Sequence, residues 1–244
     1  MHNSLKLFFP VCTAILAALT AFSPLPAKAE GILAPPAVLV ELFTSQGCYS
    51  CPPAEKVLAE SIAPHPDIAA LEFHVDYWDD LVYGGSVWAD PFSDNLHTRR
   101  QSSYNVKIRR TGSVYTPQTV IHGHRQASGT QESRILSAVG ESLKKSPPVR
   151  FRFLDSRTVR AEGSLPPGAR VSYAIFWKER ITEISAGENK GKTLKNTNVV
   201  SEFQQLPFGV RDLVLPELAP DQGCAVWLQQ GSAGRVLSAA KCPI

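Results

Sequence analysis

Apolar positions along the chain change their rhythm twice. Leu7 to Phe22 is one long apolar run. Ala37 to Thr44 (Ala-Val-Leu-Val-Glu-Leu-Phe-Thr) is a shorter one, the pattern of a strand buried on both faces of a parallel or mixed sheet. Ala54, Val57, Leu58 and Ile62 then recur at helical spacing. Pro53 sits near the first turn of that helix, where its missing N–H costs nothing, and Pro64 ends it. Ile68 to Tyr77 reads as a second strand. Ser93 is placed to cap a helix running to about Tyr104. Gln118 to His122 reads as a third strand, entered through Tyr115-Thr116-Pro117. A helix at about 130–145 carries Ile135, Leu136, Val139 and Leu143 on one face and closes on Lys144 and Lys145, as the helix dipole favours. Strands alternating with helices predict an α/β layer structure.

Pro147-Pro148 marks a boundary, and beyond it the period becomes two. Val149, Phe151 and Phe153 alternate with Arg150 and Arg152. Further strands fit residues 157–162, 170–177, 180–185, 193–201, 225–230 and 235–240. Gly187-Glu188-Asn189-Lys190-Gly191 and Gly231 to Gly234 read as tight turns, contact with the first half of the chain being the less favoured alternative for the former. No strong helical pattern interrupts them, so the second half is expected to be a mostly antiparallel, β-sandwich-like C-terminal domain.

The first apolar run changes what the rest means. A short basic start, the Leu7–Phe22 core and the small-x-small site Ala27-Lys28-Ala29 compose a secretory signal peptide, with cleavage expected after Ala29. The run is short for a membrane span, which needs roughly 20 residues. Expected segments are therefore 1–29 as signal peptide, 30–146 as the α/β domain and 147–244 as the β-rich domain. The formal net charge of +3 falls to +1 when Lys6 and Lys28 leave, because no acid leaves with them. That near balance argues against a nucleic-acid partner. No later segment is long and apolar enough to span a bilayer, so a periplasmic or secreted protein is expected. Of five cysteines, Cys12 departs with the signal, leaving Cys48, Cys51, Cys224 and Cys242 for an oxidising compartment.

Cys48-Tyr49-Ser50-Cys51 falls between a buried strand and a helix start. There a first-cysteine thiolate meets unpaired N–H groups, which lowers its pKa below the free value of about 8.5. Cys48 is expected as an exposed nucleophile and Cys51 as the resolving thiol of thiol–disulfide exchange. Two other readings stay open: an inert structural disulfide, and a thiolate pair holding Cu(I) or Zn(II) with His74, His122 or His124 as a further ligand. Of these, His122 and His124 are favoured, because they flank a turn while His74 lies within a strand. No cofactor motif is present, and no phosphate loop or nucleophile elbow appears. Asp76, Asp79 and Asp80 match no fixed cation loop. Arg99, Arg100, Arg109 and Arg110 read as a solvated basic face. Cys224 and Cys242 flank a predicted hairpin and come within one residue of facing each other, so a structural disulfide is expected between them.

The string Val-Glu-Leu-Phe-Thr-Ser-Gln-Gly-Cys48-Tyr-Ser-Cys51-Pro-Pro-Ala-Glu resembles that of a family of exported bacterial proteins of unknown function with a thioredoxin-like fold. So do His74-Val-Asp-Tyr-Trp-Asp79, Asp90-Pro-Phe-Ser93, Tyr115-Thr-Pro-Gln118 and Gly187-Glu-Asn-Lys-Gly191. The resemblance implies a thioredoxin-like domain with an insertion at about 78–105, near the active-site face. It also implies that Pro117, at the point where thioredoxin-like folds carry a cis-proline, shapes a substrate groove beside the CxxC, with Thr116, Tyr49 and Trp78 as groove residues; the sequence leaves the isomer of the Thr116–Pro117 bond open. Protein thiols, disulfides or a redox partner protein would be the partners. Thioredoxins carry a buried acid six residues before the first cysteine. Here Glu41 is seven before Cys48, so the loop is one residue longer or Glu41 is not equivalent.

Overall fold

A computed structural model describes residues 1–2 and 31–243. The expected signal peptide and its cleavage site lie outside these, apart from Met1 and His2. The described residues form a mixed α/β structure, mostly strands, in two sheets with few helices. In chain order they are β1 (Ile32–Leu33), β2 (Val38–Thr44), α1 (Pro52–Val57), β3 (Ile68–His74), α2 (Asn95–Ile108), β4 (Gln118–Ile121), β5 (Arg125–Ser128) and α3 (Glu132–Leu143). Then come β6 (Val149–Phe153), β7 (Thr158–Gly163), β8 (Ala169–Glu183), β9 (Thr193–Gln205), β10 (Asp212–Val214), β11 (Gln222–Gln230) and β12 (Val236–Lys241). Helix α1 continues as a wider π turn over Leu58–Ile62.

The larger sheet has the order β12-β11-β8-β9-β3-β2-β4-β5. Strand β2 runs parallel to β3 and antiparallel to β4, and β4 pairs antiparallel with β5. All seven residues of both β2 and β3 are buried, as continuous apolar runs require. On one face Leu42, Val40 and Ile121 pack against Ala54, Leu58 and Ile62 of the first helix and Ile135 and Val139 of α3. On the other, Leu39, Phe43, Leu71 and Phe73 meet Tyr104 of α2 and Trp227 of β11. A smaller sheet, β1-β6-β7-β10, buries Phe151, Phe153 and Val159 against Val171, Val226 and Leu228 of the larger one.

The change of rhythm at Pro147-Pro148 does not separate two sheets. Strands β8, β9, β11 and β12 lie beyond it, yet β9 pairs in parallel with β3 at Glu72↔Val199 and so extends the sheet of the first half. The β8–β9 hairpin takes the place of the three shorter strands expected there, 170–177, 180–185 and 193–201, because β8 runs unbroken through 169–183 and β9 through 193–205. The segment 78–105, expected as an insertion, divides into a loop up to residue 94 and most of α2. Asp94, not Ser93, caps that helix: its carboxylate accepts from the Leu96 N–H at 2.7 Å. Ser93 instead donates its hydroxyl to Asp79.

Cys224 and Cys242 form a disulfide with Cα atoms 5.3 Å apart, inside the bridging range. A bulge beside Leu228/Gln229 inserts one residue into β12, and this brings the two cysteines directly opposite each other. The N–H of Cys242 donates to the carbonyl of Cys224 at 2.9 Å.

Candidate active site

The loop from β2 to α1 folds tightly around its cysteines. Gly47 N–H donates to Ser45 Oγ, Cys48 N–H to the Ser45 carbonyl and Cys51 N–H to the Cys48 carbonyl. Cys48 and Cys51 are joined as a disulfide with Cα atoms 5.4 Å apart. The structure corrects the expectation of an exposed Cys48: both cysteines are 0% exposed, while Tyr49 between them is 66% exposed.

What covers the pair comes from the other half of the chain. The tip of the β8–β9 hairpin, Gly187 to Gly191, is a self-closed turn, with Gly191 N–H donating to the Ile184 carbonyl. It is also a clamp on the first half of the chain, the less favoured of the two readings of this segment. Asn189 Nδ2 donates to the carbonyls of both Gln46 and Cys48 at 2.9 Å. Glu188 accepts from the Tyr49 N–H at 2.8 Å, and Lys192 Nζ lies 4.5 Å from the Tyr49 ring centre. Gly187 has φ +73°, and a Cβ there would sit 3.0 Å from Trp88, so a side chain would be strained in the backbone and would press on Trp88.

Trp78 covers another side. A Cβ added at Gly47 would lie 3.3 Å from Trp78, and the indole N–H donates to Thr116 Oγ1 at 2.9 Å. The expected groove residues Trp78 and Thr116 are thus brought together. The Thr116–Pro117 peptide is cis, and buried Pro117 leads β4, whose Gln118 pairs with Phe43 just before the CxxC loop. Gly47, Trp78, Leu81, Val82, Tyr83, Trp88, Gly187 and Glu188 border a depression of about 200 Å³ beside Cys48.

Beneath the loop lies a buried polar cluster. Gln46 N–H donates to Asp90 Oδ2 at 2.7 Å, and the same oxygen meets His74 Nδ1 at 2.7 Å. Gln46 Nε2 donates to Asn196 Oδ1 of β9. His74 Nε2 lies 3.5 Å from Glu72, and Thr44 donates its hydroxyl to Glu55 Oε1 at 2.6 Å. Burial alone would lower the His74 pKa, but Asp90 and Glu72 outweigh it and hold the imidazole up to about 10. His74 is therefore a buried imidazolium, and Asp90 beside it stays ionised, held below its ordinary value by that charge. Burial and then the nearby Glu72 push Glu55 up to about 8. Burial raises Glu72 as well. Sequence patterning missed this cluster because its members are separated by up to 150 residues.

Glu41 belongs to a different network. It accepts from Arg100 Nε at 2.6 Å and from the Tyr104 hydroxyl at 2.6 Å, and Gln229 of β11 donates to the same hydroxyl. Arg100 is therefore no part of a solvated basic face. Nor do His122 and His124 join the cysteines. His122 Nδ1 accepts from the Leu39 N–H, at the opposite end of β2 from Cys48. Asp76 and Asp79 accept hydrogen bonds from Thr98, Asn95, Ser93 and the Asp90 N–H, which makes them loop staples. Among the described residues no group of three His, Cys, Asp or Glu side chains is arranged to hold a metal ion, and no helix is long and apolar enough to cross a membrane.

A family model described as a protein of unknown function (DUF1223) matches residues 39–228. A crystal structure of an Agrobacterium tumefaciens protein is similar to this chain with a TM-score of 0.63 and 27% identity, over 84% of this chain and 93% of that one. HBP35 of Porphyromonas gingivalis is similar with a TM-score of 0.54 and 12% identity, over 87% of this chain and 76% of that one, a likeness of fold alone. No curated protein matches the chain.

Proposed function

The chain belongs to the DUF1223 family of proteins of unknown function, and on that premise we propose that it is an exported, thioredoxin-like thiol–disulfide oxidoreductase. The observation that carries this reading is the Cys48–Cys51 disulfide at the junction of a central strand and a helix. The order β3-β2-β4-β5, with β3 parallel to β2, β4 antiparallel to β2 and β5 antiparallel to β4, supports the thioredoxin-like part. Pro117 beside the end of β2 supports a substrate groove bordered by Thr116, Trp78 and Tyr49. Two disulfides among the described residues support an oxidising compartment, periplasmic or extracellular.

In the reaction a substrate thiolate attacks Cys48 Sγ. The Cys48–Cys51 bond breaks, a mixed disulfide forms and Cys51 leaves as a thiolate. A second substrate thiolate then displaces Cys48, so two electrons pass from the substrate dithiol to the protein. The reverse sequence, starting from the reduced pair, reduces a substrate disulfide. Either direction requires the Gly187–Gly191 tip to move, since neither sulfur is exposed beneath it.

That burial favours one competing reading, a structural disulfide that never exchanges. Trapping separates the two. Reduced Cys51→Ser protein, offered a disulfide-bonded protein or oxidised glutathione, is expected to accumulate a mixed disulfide at Cys48, seen as a mass increase reversed by reductant. Cys48→Ser is expected to accumulate far less. Absence of any adduct on native Cys51→Ser, with adducts only after denaturation, would make the disulfide structural.

A further inference from the structure

Glu55 is one helical turn after Cys51. Its N–H donates to the Cys51 carbonyl at 3.1 Å, and side chains four apart share a helix face. Helical side chains lean toward the N-terminus, which here is the end that holds the disulfide. The carboxyl is fixed there by the Thr44 hydroxyl, the last residue of β2 before the CxxC loop. The residue is only 3% exposed, yet it lies at the floor of a cleft of about 530 Å³ that opens between the first helix and the β8–β9 hairpin.

We propose that Glu55 is the proton donor for Cys51: it protonates the Cys51 thiolate as the disulfide opens, and it is recharged from solvent through this cleft. The inference rests on the oxidoreductase reading above. The step balances as follows. A dithiol gives two electrons to the disulfide. Cys51 Sγ leaves Cys48 with the bonding pair and takes a proton from the Glu55 carboxyl. Water returns a proton to Glu55, and the second substrate thiolate releases Cys48, which is protonated from solvent. Closing the disulfide runs the same transfers backward.

The surroundings keep Glu55 suited to this. Glu72 and His74 face it from β3, Asp90 from the following loop, and Thr44 from β2. Lys56 and Glu60 of its own helix, Lys178 and Glu179 of β8 and Lys195 of β9 line the cleft. Burial and the Glu72 charge outweigh the His74 imidazolium, so the carboxyl keeps its proton at neutral pH and loses it near 8.

The test follows reduction of the oxidised mature protein by dithiothreitol, at concentrations where the rate is proportional to dithiothreitol so that loop motion does not limit it. Each rate is divided by that of dithiothreitol with oxidised glutathione at the same pH, which cancels the titration of the reagent. In wild type the normalised rate is expected to fall through pH 8. In Glu55→Gln it is expected to be at least about tenfold lower at pH 6 and flat with pH. Glu72→Gln removes a negative neighbour, so its inflection is expected at lower pH than in wild type, and this holds even if Glu55→Gln does not fold. A flat wild-type profile, or an inflection unchanged in both variants, overturns the assignment while leaving the oxidoreductase reading intact. A native protein that dithiothreitol does not reduce at all overturns both.

Discussion

Arg99 and Arg100 are neighbours on α2 with opposite fates: the first is exposed and the second is buried against Glu41. The guanidinium lies 4.7 Å from the Phe203 ring centre and 4.9 Å from that of Tyr104. The buried face of α2 is His97, Arg100, Gln101, Tyr104 and Asn105, which keeps helical spacing but is mostly polar. Apolar periodicity could not reveal it, because the burial is satisfied by hydrogen bonds rather than by hydrocarbon. Ionisable residues under the CxxC have a measurable consequence of another kind. Glu55 rises from 4.5 to about 8 and His74 from 6.5 to about 10. Both hold a proton more tightly folded than unfolded, so each contributes stability that is complete below its unfolded value and lost as pH rises. The losses run from 4.5 to about 8 for Glu55 and from 6.5 to about 10 for His74. In urea unfolding of the oxidised protein these two groups are therefore expected to lower stability from pH 5 to pH 8, against the opposite contribution of His97 and His122, whose burial holds them down to about 4. The stability of wild type relative to Glu55→Gln isolates the Glu55 part and should decline from pH 5 to pH 8, and parallel curves would refute the shift.

At the scale of elements, the sequence was most legible where burial is apolar. Continuous runs located β2 and β3, and period-two alternation located β6. The strand–CxxC–helix junction was also readable, since Pro52 and Pro53 mark a helix start. Short β1, β5 and β10 were not anticipated, as two to four residues carry too little pattern. The hairpin tip was readable as a turn, with contact to the first half only the second choice, and the CxxC loop as its target was not readable, because those contacts run to residues about 140 positions away. Removing that cover has a predictable effect. Asn189→Ala leaves the Gln46 and Cys48 carbonyls without their shared donor, a loss of about 1–3 kcal/mol in the closed state. Reduction of Cys48–Cys51 by dithiothreitol is expected to speed up by about tenfold, since 1.4 kcal/mol in the closed state corresponds to that factor. An unchanged rate would mean that the tip does not control access.

For the whole molecule, the shared sheet binds the two halves of the chain into one structure. Strand β3 uses β9 as its neighbour on one side, and the Glu41–Arg100–Tyr104 network closes on Gln229 of β11. A fragment of residues 30–146 would leave the apolar face around Leu71 and Phe73 without Phe203 and Trp227. It is expected to show no cooperative thermal transition by circular dichroism, and a sharp transition would show that the first half folds alone. The composition shift at Pro147-Pro148 is thus a change of secondary structure within one assembly. The same continuity gives the hairpin tip a further meaning. Asn189 and Glu188 offer the CxxC loop the kind of backbone hydrogen bonds that an incoming polypeptide would offer, so the chain acts as its own resident competitor. A partner's apparent affinity is then discounted by the fraction of molecules whose tip is displaced. On the proposed exchange reading, small thiols reach the pair only in the fraction of molecules whose tip has opened by itself, whereas a polypeptide able to replace those bonds can displace it, so the cover would favour macromolecular partners over the small-thiol pool.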